Sequence, residues 1–433
     1  MPALLLSVKL TIMKYKKHIL PSGLRVIFIP MKDTQTAIGM VLVETGSHYE
    51  DKNVNGLSHF LEHMCFKGTS GRTGDDIKLE LDGMGASSNA FTGEEYTGYY
   101  AKVHYKKLPK VIDIVSDIYI NPTFPKKDID IERGVIIEEI NMYEDLPQRG
   151  VWEVLGELLY GDQPAGRTIL GSKENIKKFQ QEDFVKYHKE HYVADKTTFV
   201  VAGNFDEKKI LKQVKEAFIN VNDGKVIKKK KIKESQKGAQ TKVKYKKTDQ
   251  AHIAIGFRGF KMGDKRNFAL KVAATVLGQG FSSRLFTKMR DELGMCYYTK
   301  AYSDTVTDAG LFVVNAGVGN KRAEEAVSVI MDEFKKLKDE LVDEKELKKA
   351  KELILGSIAT SLETSDQYAD FFGFQELHHQ DIVSPQEKYK NLKAVTAKDI
   401  QRVFNQIAKE DNLNLAIVGP FKDEGKFKKL LTI

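Results

Sequence analysis

Cysteine is nearly absent from this chain: Cys65 and Cys296 are the only two among 433 residues. Two thiols cannot form the network of disulfides that holds small secreted domains together. Cys65 stands two residues after His63, and we interpret it as a small buried thiol. The fold must therefore depend on a hydrophobic core, and a chain of this length is long enough to bury one.

Long apolar runs and a secretory signal are also lacking. Nowhere do about 18 apolar residues follow one another, so we expect no membrane span. The first 20 residues hold a short apolar run but not the basic, then apolar, then small-residue order of a secretory signal. We therefore expect a cytoplasmic protein, and the sequence leaves open whether translation starts at Met1 or at Met13.

The charge balance is mildly basic, with 68 basic and 60 acidic side chains and a net charge of +8. Eleven lysines fall within residues 225–247. A lysine run of this kind is usually a solvated linker, so we expect no nucleic-acid partner. Binding of nucleic acid through this lysine run is a functional hypothesis, but it is weaker than the two hypotheses that the motifs described below support.

The chain repeats its own pattern. An apolar strand followed by an amphipathic helix starts near Gly98 and again near Gly310, 212 positions later. A second apolar run with a glycine turn ends at Gly203 and again at Gly419, 216 positions later. Spacings close to half the chain length indicate a duplicated domain.

This duplication predicts the fold class. Strands and helices mix without strict alternation, so we predict an α+β fold of two tandem homologous domains, each a mainly antiparallel β-sheet covered by helices. The predicted boundaries are 1–220 for an N-terminal domain, 221–247 for a lysine-rich linker, and 248–433 for a C-terminal domain.

The segment "VNGLSHFLEHMCFKGTSG" (54–71) carries the strongest chemical signal. If 56–66 is helical, His59 and His63 lie four residues apart on one face and can bind a metal through their imidazole nitrogens. Glu62 is offset from that face and is available as a base acting on a metal-bound water. H-x-x-E-H is one of the known zinc-protease signatures. The alternative is a partly exposed helix that carries these residues without function.

A catalytic zinc ion typically needs a third protein ligand and one open position. The segment "DIDIERGVIIEEINMYEDL" from residue 128 places Glu132 and Glu139 two helical turns apart on one face. Acidic side chains on an otherwise apolar face are costly to bury unless they are paired or bound to a cation. Glu138 points away from that face, but spacing alone leaves the choice between Glu138 and Glu139 open.

Together, "HFLEHMCFKGT" and "ERGVIIEEI" resemble the pitrilysin-type M16 zinc metallopeptidases, and among them the mitochondrial processing peptidase β subunits and their bacterial homologues. The resemblance implies that Zn²⁺ is the cofactor and that His59, His63 and Glu139 are its ligands. It also implies that Glu62 is the general base and that Glu132 is an accessory acid supporting the site.

The resemblance extends over nearly the whole chain. "GASSNAFTGEEYTGYY" (85–100) is similar to the edge strand that pairs with an extended substrate in this family, here around Asn89 and Ala90. "GFSSRLFTKMRDELGMCYYT" is similar to the segment whose arginine and tyrosine hold the substrate and stabilise the transition state, here Arg290 and Tyr297.

The second half has no matching metal site. Alignment of "VIIEEI" (135–140) with "LILGSI" (353–358) puts Ser357 where Glu139 stands. The counterpart of the histidine helix, "NFALKVAATVLGQG" from residue 267, carries alanine and valine in place of histidine. We therefore expect metal chemistry in one half only.

These features predict a zinc metalloendopeptidase that cleaves unfolded peptides or short polypeptides inside a closing chamber. Relatives of this type build the chamber from four such domains, and this chain supplies two. We therefore expect a homodimer, or a heterodimer with a catalytically silent related subunit. The runner-up hypothesis is a non-catalytic M16 subunit that only binds peptides.

Overall fold

Two β-sheets, one from each half of the chain, organise the computed structural model, which describes residues 14–433. The alternative start sites Met1 and Met13 lie outside these described residues. The strands of the first sheet are β1 (Lys16–Ile19), β2 (Arg25–Pro30), β3 (Thr36–Val43), β4 (Ser87–Thr92), β5 (Thr97–His104) and β6 (Thr197–Gly203). Those of the second are β7 (Gln240–Tyr245), β8 (Gln250–Arg258), β9 (Cys296–Thr305), β10 (Gly310–Gly319) and β11 (Leu413–Gly419).

Both sheets are mainly antiparallel, as predicted. The first has the order β1-β2-β6-β3-β5-β4, and the second has the order β7-β11-β8-β10-β9. Only the β2–β6 and β7–β11 pairs are parallel. Without β1, the two orders are the same, strand for strand, and this match agrees with the duplication inferred from the glycine spacings. β7 lies inside the stretch interpreted as a linker, so regular pairing occupies residues 240–245 of that stretch.

Fifteen α-helices and one π-helical turn (Phe286–Glu292) cover the sheets within residues 14–433. The helices are α1 (Leu57–Met64), α2 (Gly74–Gly83), α3 (Leu108–Ile120), α4 (Lys126–Glu144), α5 (Pro147–Tyr160), α6 (Lys173–Lys178), α7 (Gln181–His191), α8 (Glu207–Ala217), α9 (Asn267–Gly278), α10 (Ala323–Asp339), α11 (Glu344–Thr360), α12 (Ser365–Leu377), α13 (Pro385–Ala394), α14 (Ala397–Ile407) and α15 (Gly425–Lys428). None of these helices has the length and apolar character that crossing a membrane requires.

The two halves exchange equivalent helices. α5 leaves the first half and packs on β7, β8 and β11 of the second sheet, while α12 leaves the second half and packs on β2, β3 and β6 of the first. α12 approaches closely enough that a Cβ on Gly373 would lie 2.9 Å from Val200 Cγ2. The exchange joins the two halves through their hydrophobic cores. α4 directly precedes α5 and packs on α1, so the position of α5 also constrains the position of α4.

Candidate metal centre

The histidine motif lies on α1, a buried helix of two turns. The helix predicted over 56–66 spans Leu57–Met64, and Phe60, Leu61 and Met64 anchor it in the first-half core. His59 and Glu62 are both less than 10% exposed. Because apolar residues hold the other faces of α1, His59, Glu62 and His63 are directed toward α4 and the end of β4.

α4 brings Glu139 to the two histidines. Glu139 Oε2 lies 3.6 Å from His59 Nε2 and 3.9 Å from His63 Nε2. One ligand atom from each of the three residues lies within 4.8 Å of the others. No other group of three histidine, cysteine or acidic side chains in residues 14–433 is arranged to hold one ion. Glu138, the alternative in the sequence, is exposed.

Glu132 contacts the His63 ring nitrogen that faces away from Glu139. Its Oε1 lies 2.9 Å from His63 Nδ1, and its Oε2 pairs with Lys67. The hydrogen bond with His63 and the charge of Lys67 lower the pKa of Glu132 to about 2, although partial burial opposes the shift. A carboxylate that holds one ring nitrogen of a histidine fixes the ring so that the other nitrogen can bind a metal.

The electrostatics of the two histidines differ. Burial lowers the pKa of His59 to about 3, so this ring is neutral at physiological pH. Burial also opposes the charged form of His63, but Glu132 and the neighbouring carboxylates outweigh it and raise the pKa of His63. Metal binding requires the neutral form of each ring, so the carboxylates around His63 oppose that form while burial favours it. Two imidazole nitrogens and one carboxylate within reach of one point form a donor set that suits zinc.

Glu62 lies on the same helix but outside the ligand group. Its Oε2 accepts a hydrogen bond of 2.5 Å from the Thr92 hydroxyl at the end of β4. Burial raises the pKa of Glu62. This carboxylate therefore lies between the candidate ligands and β4, the strand that the family resemblance predicts to pair with substrate.

β4 forms the edge of the first sheet. It pairs with β5 on one side, and no strand among the described residues pairs with its other side. Asn89 is exposed and Ala90 is half-buried, in the middle of this strand. An edge strand presents unpaired N–H and C=O groups to which another extended chain can bind.

A cavity of about 730 Å³ opens between the two halves beside the candidate ligands. His59, Glu139 and Thr92 line one side of it. α5 supplies Trp152 and Leu159, and the second half supplies residues from the ends of β9 and β10. The exchange of α5 therefore builds one wall of the cavity from a helix of the first half that is packed on the second sheet.

Arg290 and Tyr297 lie elsewhere. Arg290 Nη1 donates to the Tyr297 carbonyl oxygen at 2.9 Å, and the guanidinium carbon lies 5.3 Å from the Tyr297 ring centroid. The Tyr297 side chain is 75% exposed. Neither residue lines the cavity that contains His59 and Glu139. The structure thus brings Arg290 and Tyr297 to each other but does not bring them into the cavity with the candidate ligands.

The second half repeats the helix pair without its chemistry. α9 packs on α11 as α1 packs on α4. Most of α9 is buried and consists of alanine, valine and leucine, and α11 carries Ser357 at the position aligned with Glu139. The counterpart helices therefore serve packing.

Sequence reasoning missed two supporting residues, Thr92 and Lys67. Lys67 stands four positions after His63. This spacing would place the two side chains on one face of a helix only if α1 continued to residue 67, but α1 ends at Met64. Thr92 ends an edge strand, and nothing local indicates that its hydroxyl meets Glu62. Both contacts depend on how α1 sits against α4 and β4.

Comparison with known families matches both halves in order. Residues 25–173 match the family described as insulinase, peptidase family M16, and residues 178–354 match the peptidase M16 inactive domain. The chain is 31% identical to an uncharacterised zinc protease of Bacillus subtilis over 94% of this chain and 98% of that protein. It is 30% identical to one of Streptomyces coelicolor over 94% of this chain and 90% of that protein.

Solved structures share the fold. A protease from Helicobacter pylori superposes with a TM-score of 0.89 at 24% identity, covering 94% of this chain and all of that one. A structure from Pseudomonas fluorescens described as a peptidase M16 inactive domain gives 0.87 at 17% identity, covering 95% and 99%. With both family models matched and relatives aligned over nearly their full length, this chain belongs to peptidase family M16.

Proposed function

We propose that the chain is a zinc-dependent metalloendopeptidase that hydrolyses unfolded peptides and short polypeptides. The observation that carries the proposal is the grouping of His59, His63 and Glu139 within reach of one ion, with Glu62 beside them. The relatives that are named zinc proteases align over more than nine-tenths of the chain and support the same activity.

His59, His63 and Glu139 would hold the zinc and leave a fourth position for water or substrate. When bound, the ion supplies a Lewis acid that polarises the scissile carbonyl and lowers the pKa of water to about 7. Glu132 holds the His63 ring in the orientation that the ligand set needs.

Glu62 performs the proton transfers. Its carboxylate accepts a proton from the attacking water as the water oxygen bonds to the carbonyl carbon. The same carboxyl group then gives that proton to the amide nitrogen as the carbon–nitrogen bond breaks. The hydroxyl of Thr92 orients Glu62 through its hydrogen bond.

The substrate pairs as an added strand with the free edge of β4. Main-chain hydrogen bonds along Asn89 and Ala90 give affinity with little dependence on substrate sequence. Because Thr92 of the same strand contacts Glu62, a peptide paired with β4 would run past the base. Only an extended chain can pair in this way, so folded proteins are excluded.

The assembly is a dimer that encloses the substrate. Arg290 and Tyr297 form an exposed pair outside the cavity, so one copy does not complete the predicted site. A second copy, or a related silent subunit, would present its own arginine and tyrosine to the substrate and close the chamber. There, they would steady the oxyanion and the substrate backbone.

Incubation of the purified protein with a mixed peptide library tests the activity, with products identified by mass spectrometry. We expect cleavage that a chelator abolishes and Zn²⁺ restores. Glu62→Gln should retain stoichiometric zinc and lose cleavage, while Glu138→Gln, which changes an exposed neighbour of Glu139, should retain both zinc and cleavage. Cleavage that is unaffected by the chelator or by Glu62→Gln would overturn the proposal.

A further inference from the structure

Glu50 is a buried carboxylate in the loop before α1, outside the ligand group. It is 1% exposed, and both of its oxygens are occupied. Oε1 accepts a hydrogen bond of 2.6 Å from the Ser58 backbone N–H. Oε2 accepts bonds of 2.8 Å from the Gly56 N–H and 3.0 Å from the Asn55 side-chain amide.

These contacts replace a cap that α1 lacks. The first N–H groups of a helix have no partner within the helix and are usually satisfied by a side chain at the preceding residue. Here, that residue is Gly56, which has a φ of 100° and no side chain to accept a bond. Glu50, six residues earlier, accepts the bond from the Ser58 N–H of the first turn instead, and its carboxylate lies at the favourable end of the helix dipole.

The start of α1 is also confined on its other side. A Cβ on Gly56 would lie 2.6 Å from the Leu170 carbonyl oxygen and 2.9 Å from Gly171 Cα. The Ser58 hydroxyl contacts the Tyr187 hydroxyl at 2.6 Å. The first turn of the helix is therefore held between Glu50 and the loop around Gly171.

The first turn determines where the candidate ligands point. Ser58, which donates to Glu50, directly precedes His59, and the whole helix has only eight residues. Successive residues of an α-helix are separated by about 100° of rotation, so a small rotation of α1 moves both histidine rings relative to Glu139. The separations of 3.6 and 3.9 Å therefore depend on the position of the first turn.

We propose that Glu50 is a positioning residue of the metal centre: its carboxylate fixes the rotation of α1 and thereby the distances of His59 and His63 from Glu139. This proposal rests on the metal site of the proposed function. Glu50 contacts neither metal nor substrate and acts through the backbone of α1.

The matched variants are Glu50→Gln and Glu376→Gln. A glutamine at position 50 keeps the shape but places an amide donor against backbone donors, so at least one of the bonds is lost. Glu376 is a second buried carboxylate, 3% exposed, that pairs with Lys17 and Arg25 at the end of α12. Its replacement perturbs a buried charge of the same kind without touching α1. Asn55→Ala, which removes one donor to Glu50, serves as a milder variant that preserves the carboxylate.

The experiment measures Zn²⁺ affinity by competition with a chelating dye, the absorption spectrum of the Co²⁺-substituted protein, and Tm. Altered support of a ligand typically weakens metal binding about 10-fold to 100-fold. We expect Glu50→Gln to weaken Zn²⁺ binding by at least about 10-fold and to change the Co²⁺ spectrum. Asn55→Ala should shift both in the same direction by less, and Glu376→Gln should lower Tm while leaving the spectrum unchanged.

Two results would overturn the proposal. One is unchanged Zn²⁺ affinity and Co²⁺ spectrum in both Glu50→Gln and Asn55→Ala. The other is an effect of Glu376→Gln on the spectrum equal to that of Glu50→Gln, which would make the role of Glu50 one of general stability. A wild-type protein that binds no Zn²⁺ would overturn the proposed function and, with it, the role of Glu50. The two results above would overturn the role of Glu50 alone, because the wild type would still bind Zn²⁺.

Discussion

His63 Nδ1 and Glu132 Oε1 lie 2.9 Å apart, and the same carboxylate pairs with Lys67. These two contacts connect the His63 ring of the candidate metal site to Glu132 and, through it, to Lys67. The candidate metal site thus includes more than its three candidate ligands, because the direction of the His63 ring depends on a residue two helical turns before Glu139 on α4.

The first prediction concerns this contact. Glu132→Gln removes the charge that holds His63 Nδ1 and should weaken Zn²⁺ binding about 10-fold to 100-fold. Peptide cleavage by this variant should recover substantially when the Zn²⁺ concentration is raised, because Glu62 and the three candidate ligands are unchanged. Equilibrium Zn²⁺ titration checks this, with the exposed Glu138→Gln as the control that leaves affinity unchanged. Equal affinity in wild type and Glu132→Gln would contradict the assigned role.

The second prediction separates Glu62, the proposed base, from Thr92, the residue proposed to orient it. Thr92→Val keeps the shape of the side chain and removes the hydroxyl that donates to Glu62. A hydrogen bond to a charged group contributes about 1.5–3 kcal/mol, so we expect kcat to fall by about 10-fold or more. Zn²⁺ content should stay at the wild-type level. Steady-state kinetics on one peptide together with metal analysis check this, and loss of metal would show that Thr92 serves the ligands instead.

The third prediction tests the helix exchange. Gly373→Ala forces a Cβ to within 2.9 Å of Val200 Cγ2 and 3.0 Å of Leu42 Cδ1, where α12 crosses the first sheet. Overpacking of this kind costs about 1–3 kcal/mol of the free energy of unfolding. Gly356→Ala on α11 is the matched control. Its Cβ would meet nothing within 4 Å, so the alanine should stabilise the helix by up to about 1 kcal/mol.

Urea denaturation measures both variants. If Gly373→Ala were as stable as the wild type, α12 would not pack on the first sheet as described. Because the exchanged helices join the two cores, we also expect the wild type to unfold in one transition.

The fourth prediction is a pH dependence set by Glu95. This carboxylate is 3% exposed, and burial alone would raise its pKa. Contacts with His48, Lys229 and Thr307 outweigh burial and lower the pKa to about 2. A pKa depressed in the folded state gives stability that is present above the unfolded value, near 4.5, and is lost as the pH falls toward 2.

Glu95→Gln should therefore reduce the free energy of unfolding at pH 7 and flatten its decline between about pH 4.5 and pH 3. Urea titrations at several pH values measure this difference. Lys229→Met, which removes the opposing charge, should also flatten the decline. A wild-type slope retained in Glu95→Gln would place the acid sensitivity elsewhere. Lys229 joins the lysine-rich stretch to both halves, since it pairs with Glu95 and with Asp308.

The local parts of the candidate site were predictable from the sequence because they lie on one helix. His59 and His63 are four residues apart, and helical geometry alone puts them on one face. Glu139 is distant in sequence, and spacing left Glu138 open until the family resemblance favoured Glu139. Glu50 and Thr92 were not predictable, because each meets α1 only after the chain has folded.

In the fold, too, the local features were predictable from the sequence and the long-range contacts were not. Strand types and the duplication follow from apolar periodicity and glycine spacing, both of which are local properties of the sequence. The exchange of α5 and α12 depends on which apolar face meets which sheet, and both sheets offer similar surfaces. β7 was hidden within a lysine-rich stretch because edge strands with exposed lysines have the composition of linkers.

The most direct test of the proposed zinc site is an anomalous diffraction measurement at the zinc absorption edge, on crystals of protein prepared without chelators. We expect one peak per chain, within about 2.0–2.2 Å of His59 Nε2, His63 Nε2 and a Glu139 carboxylate oxygen. The absence of a peak at this position, or a zinc ion bound only by other residues, would contradict the proposed site.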